Sequence, residues 1–223
     1  MITILFDIDG TLIRSGGAGL IAITAAMERL FGVGSLPHVE LHGRTDNGIL
    51  SDVFDAQSLS YDQHRERFDQ TYWELLPEIL KQCSGEILPG VIDLLDLLSQ
   101  DSNVALGILT GNSKRAAKIK LEHFGLDGYF DFGGYGDHHS NRNDVARLAR
   151  ESAESFLGER FASEQLWVVG DTVNDILCAR SIGSRVVAVE TGGCDSETLK
   201  SAQPDLQLGS LTNRYAFVSS VIK

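Results

Sequence analysis

Cysteine is scarce in this chain: Cys83, Cys178 and Cys194 are the whole supply. An odd number without metal-like spacing predicts free thiols in a reducing compartment, not a disulfide framework. Positive charge is also short, with 19 Lys and Arg against 31 Asp and Glu and a formal net charge of −12. A protein of that sign repels nucleic acid and anionic membrane, so neither is expected as a partner. There is no transmembrane-length apolar run. The opening MITILFDIDGT lacks a basic stretch and reaches acids within ten residues, unlike a signal peptide. The expected location is the cytoplasm. Repeats, heptads and low-complexity segments are absent, and nothing in the sequence signals an oligomeric state.

What is present is ordinary globular material. Hydrophobic residues make up 43% and charged residues 22%, so a packed core is expected, not disorder. A chain of 223 residues accommodates one large domain, or a core domain with a smaller insert. Ile2 to Phe6 is a short apolar run ending at Asp-Ile-Asp-Gly, which predicts a buried strand meeting a turn. After the glycine cluster of Ser15 to Gly19, Leu20, Ile23, Met27, Leu30 and Phe31 recur at helical spacing, with Gly32 and Gly34 as stop signals. Residues 35 to 60 are a mixture without assigned elements. Phe68, Tyr72, Leu75, Leu76 and Ile79 mark one face of a second long helix from about Tyr61 to Leu80, and Val91 to Leu98 continues as a helix after Pro89-Gly90.

The pattern then alternates. Strands are predicted at Val104 to Leu109, near Tyr129 to Gly133, at Leu166 to Val169 and at Arg185 to Val189. Helices are predicted from Ser113 to about Phe124, Asn143 to Leu157 and Asn174 to Ile182. Alternating strands and helices argue for an α/β, Rossmann-like parallel sheet covered on both faces. The helical stretch of residues 16–86 reads as an insert, which leaves residues 1–15 and 87–223 as the core domain. In open parallel sheets ligands bind beyond the carboxyl ends of the strands. Three strands end in polar groups: Asp7 and Asp9, then Thr110 and Asn112, then Asp171.

Asp-x-Asp-Gly alone is compatible with a plain turn, and Asp175 alone with a first-turn acid. Their combination and order are harder to explain that way. Asp7-Ile8-Asp9-Gly10-Thr11 resembles the first motif of the haloacid dehalogenase-like superfamily. Ile108-Leu109-Thr110-Gly111-Asn112 resembles its second, and Gly170-Asp171-Thr172-Val173-Asn174-Asp175 its fourth. Gln203-Pro204-Asp205 and Leu211 resemble its last strand. The third motif departs: the family usually has a Lys, but this chain has none between Lys120 and Lys200, and Arg142 stands at the matching place. Arginine keeps the charge with a different, bidentate geometry.

The resemblance implies a Mg2+-dependent phosphatase with a helical cap over residues 16–86, similar to phosphoglycolate phosphatases, acting on a small phosphorylated metabolite. It implies Asp7 as the nucleophile that forms an aspartyl-phosphate and Asp9 as the acid and base. Thr110, Gly111, Asn112 and Arg142 would hold the phosphoryl oxygens. Asp7, Asp171 and the Asp9 backbone carbonyl would hold the metal, with Asp175 behind them. The retained Asp9 separates the chain from the dehalogenases, which resemble it but lack that acid. In the insert, Arg44 and Thr45 of His42-Gly43-Arg44-Thr45-Asp46 are expected to face the substrate as readily as to form an exposed loop. His138-His139 reads as a charged loop, Trp73 and Trp167 as core, Gly192-Gly193 as a flexible turn and Gly16-Gly17-Ala18-Gly19 as a hinge. A mutase of the β-phosphoglucomutase type shares the same residues and stays open, as does a non-catalytic binding protein on this fold.

Overall fold

A computed structural model describes residues 1–36, 39–160 and 162–222. In chain order the elements begin with β1 (Ile2–Phe6), β2 (Ile13–Arg14), α1 (Ala18–Phe31), α2 (Asp46–Asp55), α3 (Tyr61–Gln82) and β3 (Glu86–Ile87). Next come α4 (Val91–Ser99), β4 (Val104–Leu109), α5 (Lys114–Phe124), β5 (Phe132–Gly134), α6 (Arg142–Leu157) and β6 (Leu166–Gly170). The chain closes with α7 (Val173–Ser181), β7 (Arg185–Val189), α8 (Ser196–Ser201), β8 (Leu206–Leu208) and α9 (Arg214–Val221). Among the described residues no helix is long and apolar enough to cross a membrane.

Six strands form one parallel sheet in the order β5-β4-β1-β6-β7-β8. The period-two alternation of β1 explains why both faces are covered. Ile4 and Phe6 point to one side, into a core shared with Leu94 and Leu98 of α4, Leu121 of α5 and Phe217 of α9. Leu5 points to the other, against Val145 and Ala149 of α6 and Ile176 of α7. Each such buried Leu, Ile or Phe contributes roughly 1.5–3 kcal/mol of transfer free energy. This is the α/β parallel-sheet fold expected from the alternation of strands and helices. The strand expected near Tyr129 starts later, because Asp127–Tyr129 form a single 3-10 turn before the chain enters β5 at Phe132.

The three helices of residues 18–82 build a separate apolar cluster. Met27, Phe54, Phe68 and Leu76 are fully buried in it, and the Phe54 and Phe68 rings meet edge to face at 5.1 Å. Ala116 and Ile119 of α5 close its floor. Helix α2 lies inside the stretch left unassigned by sequence. Its buried face includes Asn47 and Gly48, which blur the apolar period. The chain leaves the sheet layer and returns to it through a two-stranded antiparallel ribbon, with Ile13 opposite Ile87 and Arg14 opposite Glu86. Arg14 Nη1 donates to Glu86 Oε1 at 2.5 Å.

Candidate active site

Strand β1 lies between β4 and β6, with Phe6 level with Ile108 on one side and Val169 on the other. Asp7, Thr110 and Asp171 therefore emerge together although far apart in sequence. This crevice, where successive strands fall on opposite sides of β1, is the usual ligand position in open α/β sheets. A cavity of about 380 Å³ occupies it, bounded by the strand ends on one side and by α1, the 41–46 loop and Tyr72 on the other.

The acids are buried together. Single oxygens of Asp7, Asp171 and Asp175 lie within 4.8 Å of one another. Asp171 receives Thr11 Oγ1 at 3.1 Å and the Gly193 amide at 2.6 Å. Asp175 accepts the Thr172 amide and hydroxyl through Oδ2 at 2.9 and 2.6 Å, and Arg142 Nη2 through Oδ1. The same Nη2 lies 3.1 Å from Asp7 Oδ1. Burial, then the charges of Asp175 and Asp7, pushes the Asp171 carboxyl up to about 8. Burial raises Asp7 to about 6, with Asp175 adding to the rise and Arg142 opposing it. Arg142 itself is pushed up, because the pull of Asp175 and Asp7 outweighs the cost of burial.

An oxygen-only donor set of this kind suits Mg2+ or a similar hard cation. The raised carboxyls mark a place where a positive charge is wanted. Asp175 spends both oxygens on Thr172 and Arg142, Asp171 accepts one uncharged donor on each oxygen, and Asp7 meets the Arg142 guanidinium through Oδ1. The backbone leaves room around them. A Cβ on Gly192 would lie 1.9 Å from Asp171 Oδ2, and one on Gly10 would lie 2.4 Å from the same atom. Gly192-Gly193 is thus a close approach that aims an amide at Asp171, more specific than the flexible turn expected from sequence.

Asp9 faces a different set. Its Oδ1 accepts Ser15 Oγ at 3.1 Å; its Oδ2 accepts Asn112 Nδ2 at 2.8 Å and Lys120 Nζ at 2.6 Å. Burial would raise this carboxyl, but Lys120, Asn112 and Ser15 together hold it below the usual carboxylate range. Thr110 Oγ1 accepts the Asn112 amide at 3.3 Å and its side-chain Nδ2 at 2.9 Å, which leaves its own hydroxyl proton free to donate.

Of the expected cap contacts, Arg44 lines the cavity, with its guanidinium paired to Asp52 at 2.7 Å. Thr45 is fully buried and caps α2 by accepting the Gly48 amide at 3.2 Å, so its hydroxyl is committed to the helix. Asp46 joins insert to strand end: its amide donates to Gly111 O and its Oδ2 accepts the Ser113 amide, each at 2.7 Å. Arg65 adds a bond to Asp137 O at 2.8 Å, and Trp73 Nε1 donates to Ser113 Oγ at 3.3 Å, so Trp73 is a contact residue and Trp167 the core one. Sequence reasoning missed Lys120 and Asp46. A lysine three and four residues after Ala117 and Ala116, on the apolar stripe of α5, was the available signal.

A family model described as haloacid dehalogenase-like hydrolase matches residues 4–189. A phosphoglycolate phosphatase of Chromobacterium violaceum is 30% identical, covering 95% of this chain and 94% of that protein. A Dickeya dadantii protein named "Probable phosphatase IndB" is 27% identical over 99% of this chain and 94% of its own length. Among solved structures, a hydrolase from Pseudomonas syringae superposes with a TM-score of 0.75 at 21% identity, covering 99% of each chain.

Proposed function

The chain belongs to the haloacid dehalogenase-like hydrolases, and from that premise we propose that it is a Mg2+-dependent phosphatase that hydrolyses a small-molecule phosphomonoester through an aspartyl-phosphate on Asp7. The observation that carries this reading is the meeting of Asp7, Asp9, Thr110, Asn112, Arg142 and Asp171 on one cavity wall. In this reading the Asp7 carboxylate attacks phosphorus and the ester P–O bond breaks. Asp9, a carboxylate at rest beside Lys120, takes up a proton from solvent and gives it to the leaving oxygen. As a carboxylate, Asp9 then takes a proton from the water that attacks the phosphoryl group and frees Asp7. Thr110, the Gly111 backbone and Arg142 hold the phosphoryl oxygens, and Asn112, its amide bonded to Asp9 and Thr110, would turn a donor toward them when substrate binds. Asp7, Asp171 and the Asp9 carbonyl would hold Mg2+, which would neutralise charge on the transferring group. Residues 16–86 act as the cap that shuts water out and surrounds the leaving group, with Arg44 at the cavity wall. The cavity volume fits a small metabolite.

The test is release of inorganic phosphate from a panel of phosphomonoesters, led by 2-phosphoglycolate, the substrate for which the Chromobacterium relative is named. Turnover with Mg2+, lost with chelator and reduced at least ~10³-fold in Asp7→Asn, is the expected result. A sugar phosphate isomerised without phosphate release would instead establish the mutase. A folded, metal-loaded protein silent on every ester and every sugar phosphate would sink both.

A further inference from the structure

We propose that Lys120 is a positioning residue of this reaction, orienting Asn112 and Asp9 together; the inference rests on the roles given to those two residues above. Lys120 is 4% exposed on α5, outside every motif that the family resemblance identifies. Its ammonium donates to Asn112 Oδ1 at 2.7 Å and to Asp9 Oδ2 at 2.6 Å. Asn112 Nδ2 closes the triangle on the same Asp9 oxygen at 2.8 Å.

The two ends of an asparagine amide are nearly the same size, so neighbours decide which end faces which way. An ammonium has only donors. It therefore draws Oδ1 to itself and turns Nδ2 toward Asp9 Oδ2 and Thr110 Oγ1. If the amide were reversed, its oxygen would face a carboxylate. One lysine thus sets the amide, the carboxylate and, through the amide, the Thr110 hydroxyl. A Cβ on Gly19 of α1 would lie 3.8 Å from Lys120 Nζ and 3.9 Å from Tyr72 Oη, so the start of that helix passes close to the ammonium.

A purely structural ion pair would have a different signature. The Asp9 side chain is 38% exposed, so water can solvate it when the ammonium is gone and Lys120→Met should fold. A misplaced Asp9 fails to protonate a poor leaving group and fails to activate water. It does not hinder the attack of Asp7 on an ester whose leaving group needs no proton. The experiment therefore compares wild type, Lys120→Met and Lys120→Arg on p-nitrophenyl phosphate and an aliphatic phosphate ester.

Expected for Lys120→Met is a ~100-fold loss of kcat on the aliphatic ester with KM within about threefold, the scale of lost acid–base catalysis. The first-turnover burst of nitrophenolate should persist while steady turnover falls, and Lys120→Arg should recover much of the loss. Aliphatic-ester turnover within threefold of wild type, or burst and turnover lost in parallel, overturns the proposal. A second readout needs no activity. The Asn112 side-chain amide protons, followed by NMR, should exchange with water at least tenfold faster in Lys120→Met, and unchanged exchange also overturns it. A wild type silent on all esters would refute the phosphatase reading while the exchange measurement still judges Lys120.

Discussion

Arg142 Nη2 bridges Asp7 and Asp175, and all three side chains are buried. Arg142→Met leaves the two carboxylates without their shared cation. Breaking a buried pair from one side costs about 3–5 kcal/mol, so urea unfolding in chelator should show a loss of that order. Arg142→Lys should fall between the two, because a single ammonium lacks the fork that reaches both acids. Asp7 and Asp171 were legible in sequence because strand ends announce themselves, an apolar run stopping at an acid, whereas Arg142 and Asp175, at the starts of α6 and α7, stood out only through the resemblance to the family's third and fourth motifs. Lys120 was not, because a single lysine in a helix is normally solvated and only its place on the apolar stripe sets it apart. Thr45 was half legible: its polar loop is at the cavity, but the hydroxyl serves the first turn of α2.

At the scale of elements, the contact of the three-helix segment with the strand ends is tight enough to test. A Cβ on Gly111 would lie 1.9 Å from Arg44 O and 3.1 Å from Thr45 Cα, against backbone that no side-chain rotation can clear. Gly111→Ala should hold the helices off the strand end while β4 and its sheet stay intact. The measurements are limited proteolysis of the 41–46 loop, expected to quicken, and kcat, expected to fall at least ~10-fold from loss of positioning. Inside the helical cluster, Phe54→Ala should cost about 3–5 kcal/mol by thermal or urea unfolding, the range for a buried aromatic truncated to a cavity. The long elements of this cluster were readable because α1 and α3 keep a helical period of Leu, Ile, Met and aromatic residues. Helix α2 and the two-residue strands β2 and β3 were not, since their positions depend on the partners they meet and carry no period of their own.

For the molecule as a whole, burial raises Asp7 to about 6 and Asp171 to about 8 from an ordinary carboxylate value of 3.8. Between pH ~4 and ~8 the native chain therefore keeps protons that the unfolded chain has lost, and stability must fall as pH rises through that window. In chelator, the melting temperature should drop from pH 5 to pH 8, and Asp171→Asn should flatten the drop; a flat wild-type curve would argue against the acidic cluster as described. Mg2+ at about 100 times its Kd should restore roughly 2.7 kcal/mol by binding the native state alone. The fold class was readable at this scale because every long strand alternates with a helix, whereas the geometry of the cavity wall is a matter of side chains converging from opposite ends of the chain. The ribbon of Ile13–Ile87 and Arg14–Glu86 has a consequence for the history of such a molecule. Exit and return are neighbouring rungs, so all that lies between is a side branch on an otherwise closed circuit. A branch of another length or another architecture can be grafted onto those two rungs without reordering a strand, and a tight turn in its place would leave the sheet whole and the same acids bare to any phosphate ester that diffused past.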